Sequence, residues 1–316
     1  MASSEHAPPT GYATRAATRD DVAELGDIWR RSDEALGVHP ESVASFLGWV
    51  LQLPYVQHGR DTIVLKGNDG AAGFAIAMRD PASAGSAMHW FGVVDPAQQG
   101  RSLGAWLLTW ADRLVGARAD ELPFNVRSMF PAPDDAARRL FTSRGYTHVR
   151  TSWDMHRDVT TSEPAGEPPD DVTIRAFRLG QDERTFWSVS EAAFADHFGF
   201  TPAPYESWEG EWYRSEEWNP DRVLFAERDG EVIGELAWID AAPDGYVASL
   251  GVLEAHRGRG IAKALLRRAF ADIASAGLDS ATLSVDTENA TGAVELYRSV
   301  GMRPVRESFI FERPPE

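Results

Sequence analysis

The amino-acid sequence predicts an α/β fold in two tandem domains, each a mixed, mostly antiparallel sheet flanked by helices. One observation is a pattern of strand, glycine-containing loop and helix that recurs after about 160 residues, a period too long for a solenoid and right for a duplicated domain. A second is that, within each half, segments with the apolar spacing of a strand alternate with segments with the apolar spacing of a helix. The third is the segment 160–171, which is rich in Pro, Glu, Ser and Thr and is typical of a linker. We therefore expect domains at 1–159 and 172–316.

Each half is predicted to begin with a strand and two helices. The first strands are expected at Tyr12–Ala16 and Val172–Arg175, and they lead into helices at Asp21–Leu36 and Asp182–Phe194. Two strands around a turn follow, because Asn68-Asp69-Gly70 and Arg228-Asp229-Gly230-Glu231 are hairpin signals. The remaining predicted strands are Thr62–Lys66, Ala72–Met78, Met88–Val94 and Phe124–Val126, then Val223–Glu227, Val232–Ile239, Tyr246–Val252 and Ala281–Val285. A short helix and a closing strand complete each half.

Composition limits the function. The chain has 316 residues, 43% of them hydrophobic and 25% charged, which is ordinary for globular domains. It has no cysteine, so disulfides, thiolate metal sites and cysteine nucleophiles are excluded. The net charge of -17 argues against nucleic-acid binding. This charge serves solubility or attracts a cationic amine.

Localisation and assembly follow from the same composition. No run is apolar enough for a signal peptide or a membrane span, so we expect a cytoplasmic protein without a membrane partner, either a monomer or a homodimer. No metal is expected, since His197 has no second ligand at metal-binding spacing.

The segment Arg257–Ala262 lies between a predicted strand and a predicted helix. The helix is indicated by Ile261, Leu265, Ala269 and Ile273, which share one face. Glycines at such a junction let a phosphate approach the unpaired N–H groups of the helix N-terminus. The segment lacks the Gly-Lys-Ser/Thr ending of a P-loop and the glycine spacing of a dinucleotide fold. A pyrophosphate or another anion is therefore predicted, and the alternative is a tight turn that packs the helix.

The residues around this loop resemble the GNAT superfamily of N-acetyltransferases. Its pyrophosphate loop has the pattern Arg/Gln-x-x-Gly-x-Gly/Ala, represented here by Arg257, Gly260 and Ala262. The stretch from Val285 to Met302, which contains Asn289 and Tyr297, looks like the second motif of the same family. The tandem layout is similar to that of mycothiol synthases and related actinobacterial acetyltransferases.

The resemblance implies an acetyl-CoA-dependent N-acetyltransferase that acts on a primary amine of a small molecule by direct attack. Tyr297 would be the general acid, because a phenol with an ordinary pKa near 10 stays protonated until it meets the leaving thiolate. The implied cofactor-binding residues are Leu250, Gly251, Val252, Arg257, Gly258, Arg259, Gly260, Ile261, Ala262, Lys263 and Asn289. A catalytically idle acyl-CoA-binding sensor or interaction module is the alternative, and a protein lysine acceptor is a third.

The general base is not assigned by the motifs. Mycothiol synthases resembling this chain have a Glu near the start of the fourth strand, where this sequence has Tyr246. Two other carboxyl groups are candidates, Asp244 or Glu235, acting directly or through a water. The acceptor is expected near the segment Phe194–Tyr213, whose aromatic and acidic residues suit an amine with an apolar or sugar body. The alternative for those aromatics is packing between domains.

The N-terminal half is expected to be catalytically inactive. Ser102 replaces the central glycine of the loop, Phe141 stands in place of Tyr297, and Pro133 replaces Asn289. Phenylalanine has no proton to donate. The remaining loop still resembles the motif, so a second cofactor site is a candidate at Val93, Val94, Gln99, Gly100, Arg101, Ser102, Leu103 and Gly104.

Overall fold

A computed structural model describes residues 7–38, 43–79, 87–118, 124–212, 218–289 and 291–314. These residues fall into two compact units. Unit 1 contains those up to Thr151 together with those from Arg306 onward, and unit 2 contains Ser152–Val305. The segment 160–171 contains no helix or strand.

Unit 1 is a six-stranded sheet with helices. The strand order is β1-β2-β3-β4-β5-β12, and only the β4–β5 pair is parallel. Its elements are β1 (Ala13–Arg15), α1 (Val22–Leu36), α2 (Val43–Val50), α3 (His58–Asp61), β2 (Thr62–Gly67), β3 (Gly70–Met78), β4 (Met88–Val94), α4 (Leu103–Ala117), β5 (Val126–Pro131), α5 (Asp135–Thr142) and the end of β12 (Arg303–Arg313).

Unit 2 repeats this arrangement with strand order β6-β11-β10-β9-β8-β7, and only β10–β11 is parallel. Its elements are the end of β6 (Thr147–Asp158), β7 (Thr173–Ala176), α6 (Glu183–Phe194), α7 (Tyr205–Trp212), β8 (Val223–Arg228), β9 (Glu231–Ala241), β10 (Asp244–Val252), α8 (Ile261–Ser275), β11 (Ser280–Asp286) and α9 (Ala293–Ser299). The predicted mixed, mostly antiparallel α/β fold is thereby confirmed.

Hairpin turns lie where the sequence predicts them. Arg228 pairs with Glu231 across a two-residue turn, in which Asp229 and Gly230 have φ of 52° and 82°. Positive φ at both central residues gives the turn a twist that matches the strands. Most predicted strand bounds differ from the observed ones by one or two residues. The largest difference is at β5, which runs from Val126 to Pro131 rather than from Phe124 to Val126, because its ladders to β4 and β12 start at Val126.

The last strand of each half of the chain, β6 or β12, does not pair within the compact unit formed by the rest of that half. The end of β6 pairs with β11 in unit 2, from Ser152 to Asp158. The end of β12 pairs with β5 in unit 1, from Ser308 to Arg313. Each half of the sequence does end in a strand, but each compact unit is completed by the strand that ends the other half.

Helices cover both faces of the unit 2 sheet. The helices α8 and α9 pack on one face, where Leu236, Leu265, Phe270 and Leu283 form a buried core. On the other face, a second core contains Phe186 of α6, Trp208 of α7 and Phe225 of β8. Within the described ranges, no helix combines the length and the apolarity needed to cross a bilayer.

Candidate active site

Strands β10 and β11 of unit 2 form a fork. The strand β10 pairs with β9 from Asp244 to Val252. Its parallel ladder with β11, in contrast, covers only Asp244 to Tyr246, while β11 continues to Asp286 as the partner of β6. Beyond Tyr246 the edge of β10 that faces the fork can therefore offer backbone N–H and C=O groups to an extended ligand arm.

A β-bulge sets the direction of the side chains at this fork. The register of β10 against β9 shifts between Val247 and Ser249. After the bulge, Ser249 lies opposite Ala237 and Gly251 lies opposite Glu235. Since directly opposed residues share a face of the sheet, Ser249, Gly251 and Glu235 all face the side covered by α6.

The loop after β10 exposes a helix N-terminus. Gly258 and Gly260 have φ of +76° and +85°, and a Cβ built at either position would meet nothing within 4 Å. Glycine is thus required by the backbone angle rather than by crowding. No side chain caps α8 at Gly260. The N–H groups of Ile261, Ala262 and Lys263 are left to a ligand, at the positive end of the helix dipole.

Arg257 holds this loop in place. Its Nε donates to the backbone oxygen of Val252 at 3.0 Å, and its Nη2 donates to that of Ala193 at 2.9 Å. The guanidinium therefore ties the end of β10 to the end of α6. Both Arg257 and Arg259 are implied cofactor-binding residues, but the Arg257 guanidinium binds two backbone carbonyl groups, whereas Arg259 is exposed.

Glu235 is a fully buried carboxyl group beside the fork. Its side chain is 0% exposed, and Ser249 Oγ donates to Oε1 at 2.7 Å. Its Oε2 has no hydrogen-bond partner among the described residues. Burial raises the pKa of Glu235 to about 8, and the bond from Ser249 opposes part of that rise. A carboxyl group with this pKa can exchange a proton near neutral pH.

Tyr297 lies on α9 and packs against the core of unit 2. Burial, together with the smaller electrostatic effects of Tyr246 and Glu235, raises the pKa of Tyr297 to about 12. The phenol is therefore protonated at neutral pH.

Asn289 precedes α9 and is oriented by its own loop. Its Oδ1 accepts bonds from Thr291 N at 2.8 Å and from Thr291 Oγ1 at 2.5 Å. The side-chain NH2 consequently faces away, and Nδ2 lies 3.4 Å from His197 Nε2. The sequence analysis considered His197 only as a metal ligand. No cluster of three His, Cys, Asp or Glu suited to a metal occurs in the described parts of the chain.

Asp244 lies at the opposite end of β10 from the loop. It pairs with Ala241 and Ser280, and it accepts a hydrogen bond from Ser280 Oγ. Seven residues separate it from Gly251, which corresponds to about 20 Å along a strand. The fold therefore places Glu235 beside the loop end of β10 and keeps Asp244 away from the loop.

The aromatic residues of the 194–213 segment divide between core and surface. Trp208 is 6% exposed and makes an edge-to-face contact with Phe186, so it packs within unit 2. Trp187 donates to the backbone oxygen of Ala203 at 3.0 Å. Phe198, in contrast, is 37% exposed. The position of Tyr213 lies outside the described residues.

Unit 1 has a similar fork and loop with a different interior. The β4–β5 ladder covers only Met88 and His89 on β4. In its loop, Gly100 and Ser102 have φ of 76° and 62°, so Ser102 keeps the left-handed geometry of the glycine at 260. The strand β4 pairs with β3 without a register shift, in contrast to the bulged β10.

An aromatic cluster fills the neighbourhood of Phe141 in unit 1. Phe141 is 6% exposed and stacks on Trp90 with ring centroids 5.3 Å apart. Phe130, Tyr146 and Phe311 surround it at 5.0–6.3 Å. Side chains also contact the glycine-containing loop of unit 1. The Tyr12 hydroxyl donates to Gln98 Oε1 at 2.7 Å, and Arg101 Nη1 donates to the Tyr12 hydroxyl at 3.4 Å. Unit 1 therefore keeps the backbone geometry of the loop, with a packed aromatic cluster around Phe141.

A strand fork, a glycine loop at a helix N-terminus and a buried carboxyl group thus occur together in unit 2. Comparisons with known proteins identify the family. Residues 176–302 match the model of the Acetyltransferase (GNAT) family. A mycothiol acetyltransferase from Thermobispora bispora is 34% identical over 281 residues, covering 85% of this chain and 88% of that protein.

Solved structures show the same fold. The crystal structure of a GCN5-related N-acetyltransferase from Sphaerobacter thermophilus has a TM-score of 0.81 and 29% identity, and the match covers 98% of this chain and 97% of that one. A tandem GNAT protein from the clavulanic acid biosynthesis pathway has a TM-score of 0.69 at 13% identity, covering 96% of this chain and 98% of that one. The chain belongs to the GNAT family of acetyltransferases. It is an acyltransferase, and this family uses acyl-CoA donors.

Proposed function

We propose that the chain transfers an acetyl group from acetyl-CoA to the primary amine of a small molecule, by direct attack of the amine. The observation that carries the proposal is the buried carboxyl group of Glu235 under Gly251, at the mouth of the β10–β11 fork and on the same strand pair that leads into the loop. A base, an acid and a cofactor slot thereby meet within one unit.

The cofactor is proposed to lie along β10 and the start of α8. The backbone of Leu250, Gly251 and Val252 would pair with the pantetheine arm, as an added strand does. The phosphates would bind the N–H groups from Gly258 to Lys263, with Arg259 adding positive charge. Arg257 would contribute through the shape of the loop, because its guanidinium binds two backbone carbonyls. Bound acetyl-CoA supplies a thioester that a neutral amine can attack.

Glu235 is proposed as the general base. As the new C–N bond forms, its carboxylate would take a proton from the amine nitrogen, directly or through one water. A buried carboxylate with no hydrogen-bond partner for Oε2 is a strong proton acceptor, since the charge is stabilised by few donors. Asp244 is not proposed for this role, because it lies at the far end of the strand.

Tyr297 is proposed as the general acid. When the C–S bond breaks, the phenol would give its proton to the departing thiolate. Its pKa of about 12 keeps the proton in place until a sulfur anion develops beside it. The products are an amide and a free thiol, and the enzyme is restored when Glu235 releases its proton to solvent and the Tyr297 phenolate takes one up.

The acceptor is proposed to be a small molecule. The relatives named mycothiol acetyltransferase support this choice over a protein acceptor.

The N-terminal domain is proposed to be catalytically inactive, since the aromatic cluster around Phe141 contains no counterpart of Glu235 or Tyr297. The loop at Gln99–Gly104 does not by itself support a second acetyl-CoA site.

The test is release of free thiol from acetyl-CoA in the presence of an amino sugar, an amino-acid amide, a polyamine and a simple alkylamine. Thiol release that depends on the amine, with the acetylated product seen by mass spectrometry, supports the proposal. Tight binding of acetyl-CoA without transfer to any of these amines would contradict it. Glu235→Gln and Tyr297→Phe are expected to lose transfer while they still bind acetyl-CoA.

A further inference from the structure

A contact between His197 and Asn289 crosses the open end of the fork in unit 2. His197 follows α6, which covers one face of the sheet, and Asn289 precedes α9, which packs on the other face. Asn289 Nδ2 lies 3.4 Å from His197 Nε2. Because β10 and β11 pair only as far as Tyr246, segments from opposite faces can meet beyond that residue. The contact therefore lies beside the path of the proposed acyl-CoA arm.

The His197 ring is held from the β10 side of the fork. Its backbone N–H donates to the oxygen of Phe194 at 2.8 Å, and the two rings meet edge to face with centroids 4.6 Å apart. Phe194 packs on β10, since its Cε2 atom lies 3.4 Å from a Cβ built at Gly251. Arg257 also ties the end of α6 to the end of β10.

The Asn289 amide is held from the β11 side. Its backbone N–H donates to the oxygen of Asp286, the last residue of β11, at 3.2 Å. Oδ1 accepts both bonds from Thr291, so Nδ2 is the atom that faces His197. An amide nitrogen carries a second N–H, and Nδ2 makes no other hydrogen bond within the described residues. That N–H can donate to a carbonyl oxygen of the pantetheine arm.

The contact requires a neutral His197. Since Asn289 Nδ2 only donates, His197 Nε2 must accept, which places the ring proton on Nδ1. Burial, and then the charge of Arg257 in the loop after β10, lower the pKa of His197. Asp286 at the end of β11 and Asp196 beside His197 oppose this effect. The neutral ring is thus the form present at neutral pH, and a protonated ring could not accept.

We propose that neutral His197 is a positioning residue for the acyl-CoA arm: it accepts one N–H of Asn289 and directs the other at a pantetheine carbonyl oxygen. This inference rests on the proposed function and on the implied role of Asn289 in cofactor binding. Thr291 and His197 hold opposite ends of one amide group. The affinity for acyl-CoA therefore depends on His197 and weakens in acid.

The decisive measurement is calorimetric binding of acetyl-CoA and of adenosine 3′,5′-bisphosphate, which has phosphates but no pantetheine arm. His197→Ala is expected to raise the Kd for acetyl-CoA about three- to tenfold, the effect of one hydrogen bond, and to leave the Kd for the bisphosphate unchanged. The matched control is His148→Ala, at an exposed position of unit 1, which should bind both ligands as the wild type does. An unchanged or lower Kd for acetyl-CoA in His197→Ala, or equal weakening of both ligands, overturns the inference.

A double-mutant cycle tests whether His197 acts through Asn289. In the Asn289→Ala background, His197→Ala is expected to leave the Kd for acetyl-CoA unchanged, because no amide remains to be oriented. Equal effects of His197→Ala in both backgrounds overturn the positioning role.

His197→Gln separates titration from hydrogen bonding, because glutamine offers an acceptor oxygen that does not titrate. From about pH 7.5 to about pH 5, the Kd of the wild type for acetyl-CoA should rise more steeply than that of His197→Gln. Titration of the ligand phosphates is common to both proteins. Parallel pH profiles would overturn the role of the neutral ring.

Binding and transfer are separate readouts. If the wild type binds acetyl-CoA and acetylates no amine, the proposed function fails, while the Kd values still decide the role of His197. If the wild type is active and the Kd for acetyl-CoA does not respond to His197, only this inference fails.

Discussion

Gly251 leaves room for the carboxyl group of Glu235: a Cβ built at Gly251 would lie 2.9 Å from Glu235 Oε1 and 2.7 Å from the Cβ of Ala193. Real Cβ atoms do not approach these groups so closely. The glycine in β10 is therefore required by what packs on it, in contrast to Gly258 and Gly260, which are required by their positive φ.

Gly251→Ala is expected to displace Glu235 or α6 and to lower the transfer rate at least tenfold, because misplaced reacting groups lose catalysis steeply. The melting temperature should also fall. The matched control is Gly116→Ala within α4, where a Cβ would meet nothing within 4 Å and alanine favours the helix. Equal activity of Gly251→Ala and Gly116→Ala would contradict the close packing over Glu235.

The pKa of Glu235 predicts the pH dependence of transfer. Since the carboxylate is the proposed base and its pKa is about 8, kcat/KM should increase with pH up to about 8 and then level off. In Glu235→Gln the remaining activity should lack this rise. A wild-type profile that is already flat from pH 6 upward would remove Glu235 from the role.

The same group predicts a pH dependence of stability. Its pKa is about 8 in the folded state and 4.5 when the group is in water, so the folded state holds the proton more tightly between these limits. This stabilisation is complete below pH 4.5 and is lost as the pH rises toward 8. The free energy of unfolding of the wild type, relative to Glu235→Gln, should therefore fall from pH 5 to pH 8 in urea titrations. Glu231→Gln, at an exposed position of the same strand, should show no such trend.

Tyr297→Phe tests the proposed acid. The variant keeps the aromatic packing of α9 and is expected to lower kcat about 10²- to 10⁴-fold, with little change in the KM for acetyl-CoA. Tyr146→Phe in unit 1 is the matched control, because Tyr146 is also buried and its hydroxyl accepts a hydrogen bond from Trp90 Nε1 at 3.3 Å. A kcat for Tyr297→Phe equal to that of the control would exclude proton donation by Tyr297.

Substitution of Arg306 tests how much the last strand, β12, contributes to the stability of unit 1. Its guanidinium forms an ion pair with Asp33 of α1, and both side chains are at most 3% exposed. Arg306→Ala leaves a buried carboxylate without this partner and is expected to cost about 3–5 kcal/mol in unfolding free energy. Arg303→Ala on the same strand should cost less than about 1 kcal/mol, because the side chain is 60% exposed. Similar costs for the two variants would argue against an anchoring role for Arg306.

Local chemistry made much of this protein predictable. The two-residue turn at Asp229-Gly230, the helix after Gly260 and the apolar face of α8 depend on neighbours in the chain, and each lies where the sequence indicates. The repeat also indicated that one loop would be followed by Tyr297 and the other by Phe141. These features follow from backbone preference and periodicity, which act over a few residues.

Other features depended on residues that are distant in the chain. The choice between Glu235 and Asp244 required the register of β10, since a bulge and seven residues separate one end of the strand from the other. The role of Arg257 required the position of Ala193, 64 residues away. The exchange of closing strands is visible only in the pairing of β6 with β11 and of β12 with β5. Sequence by itself determined the fold class and the positions of the loop and of Tyr297, because these follow local patterns. Burial, register and strand pairing decided which carboxyl group lies beside the loop end of β10, because they arise only when distant segments pack together.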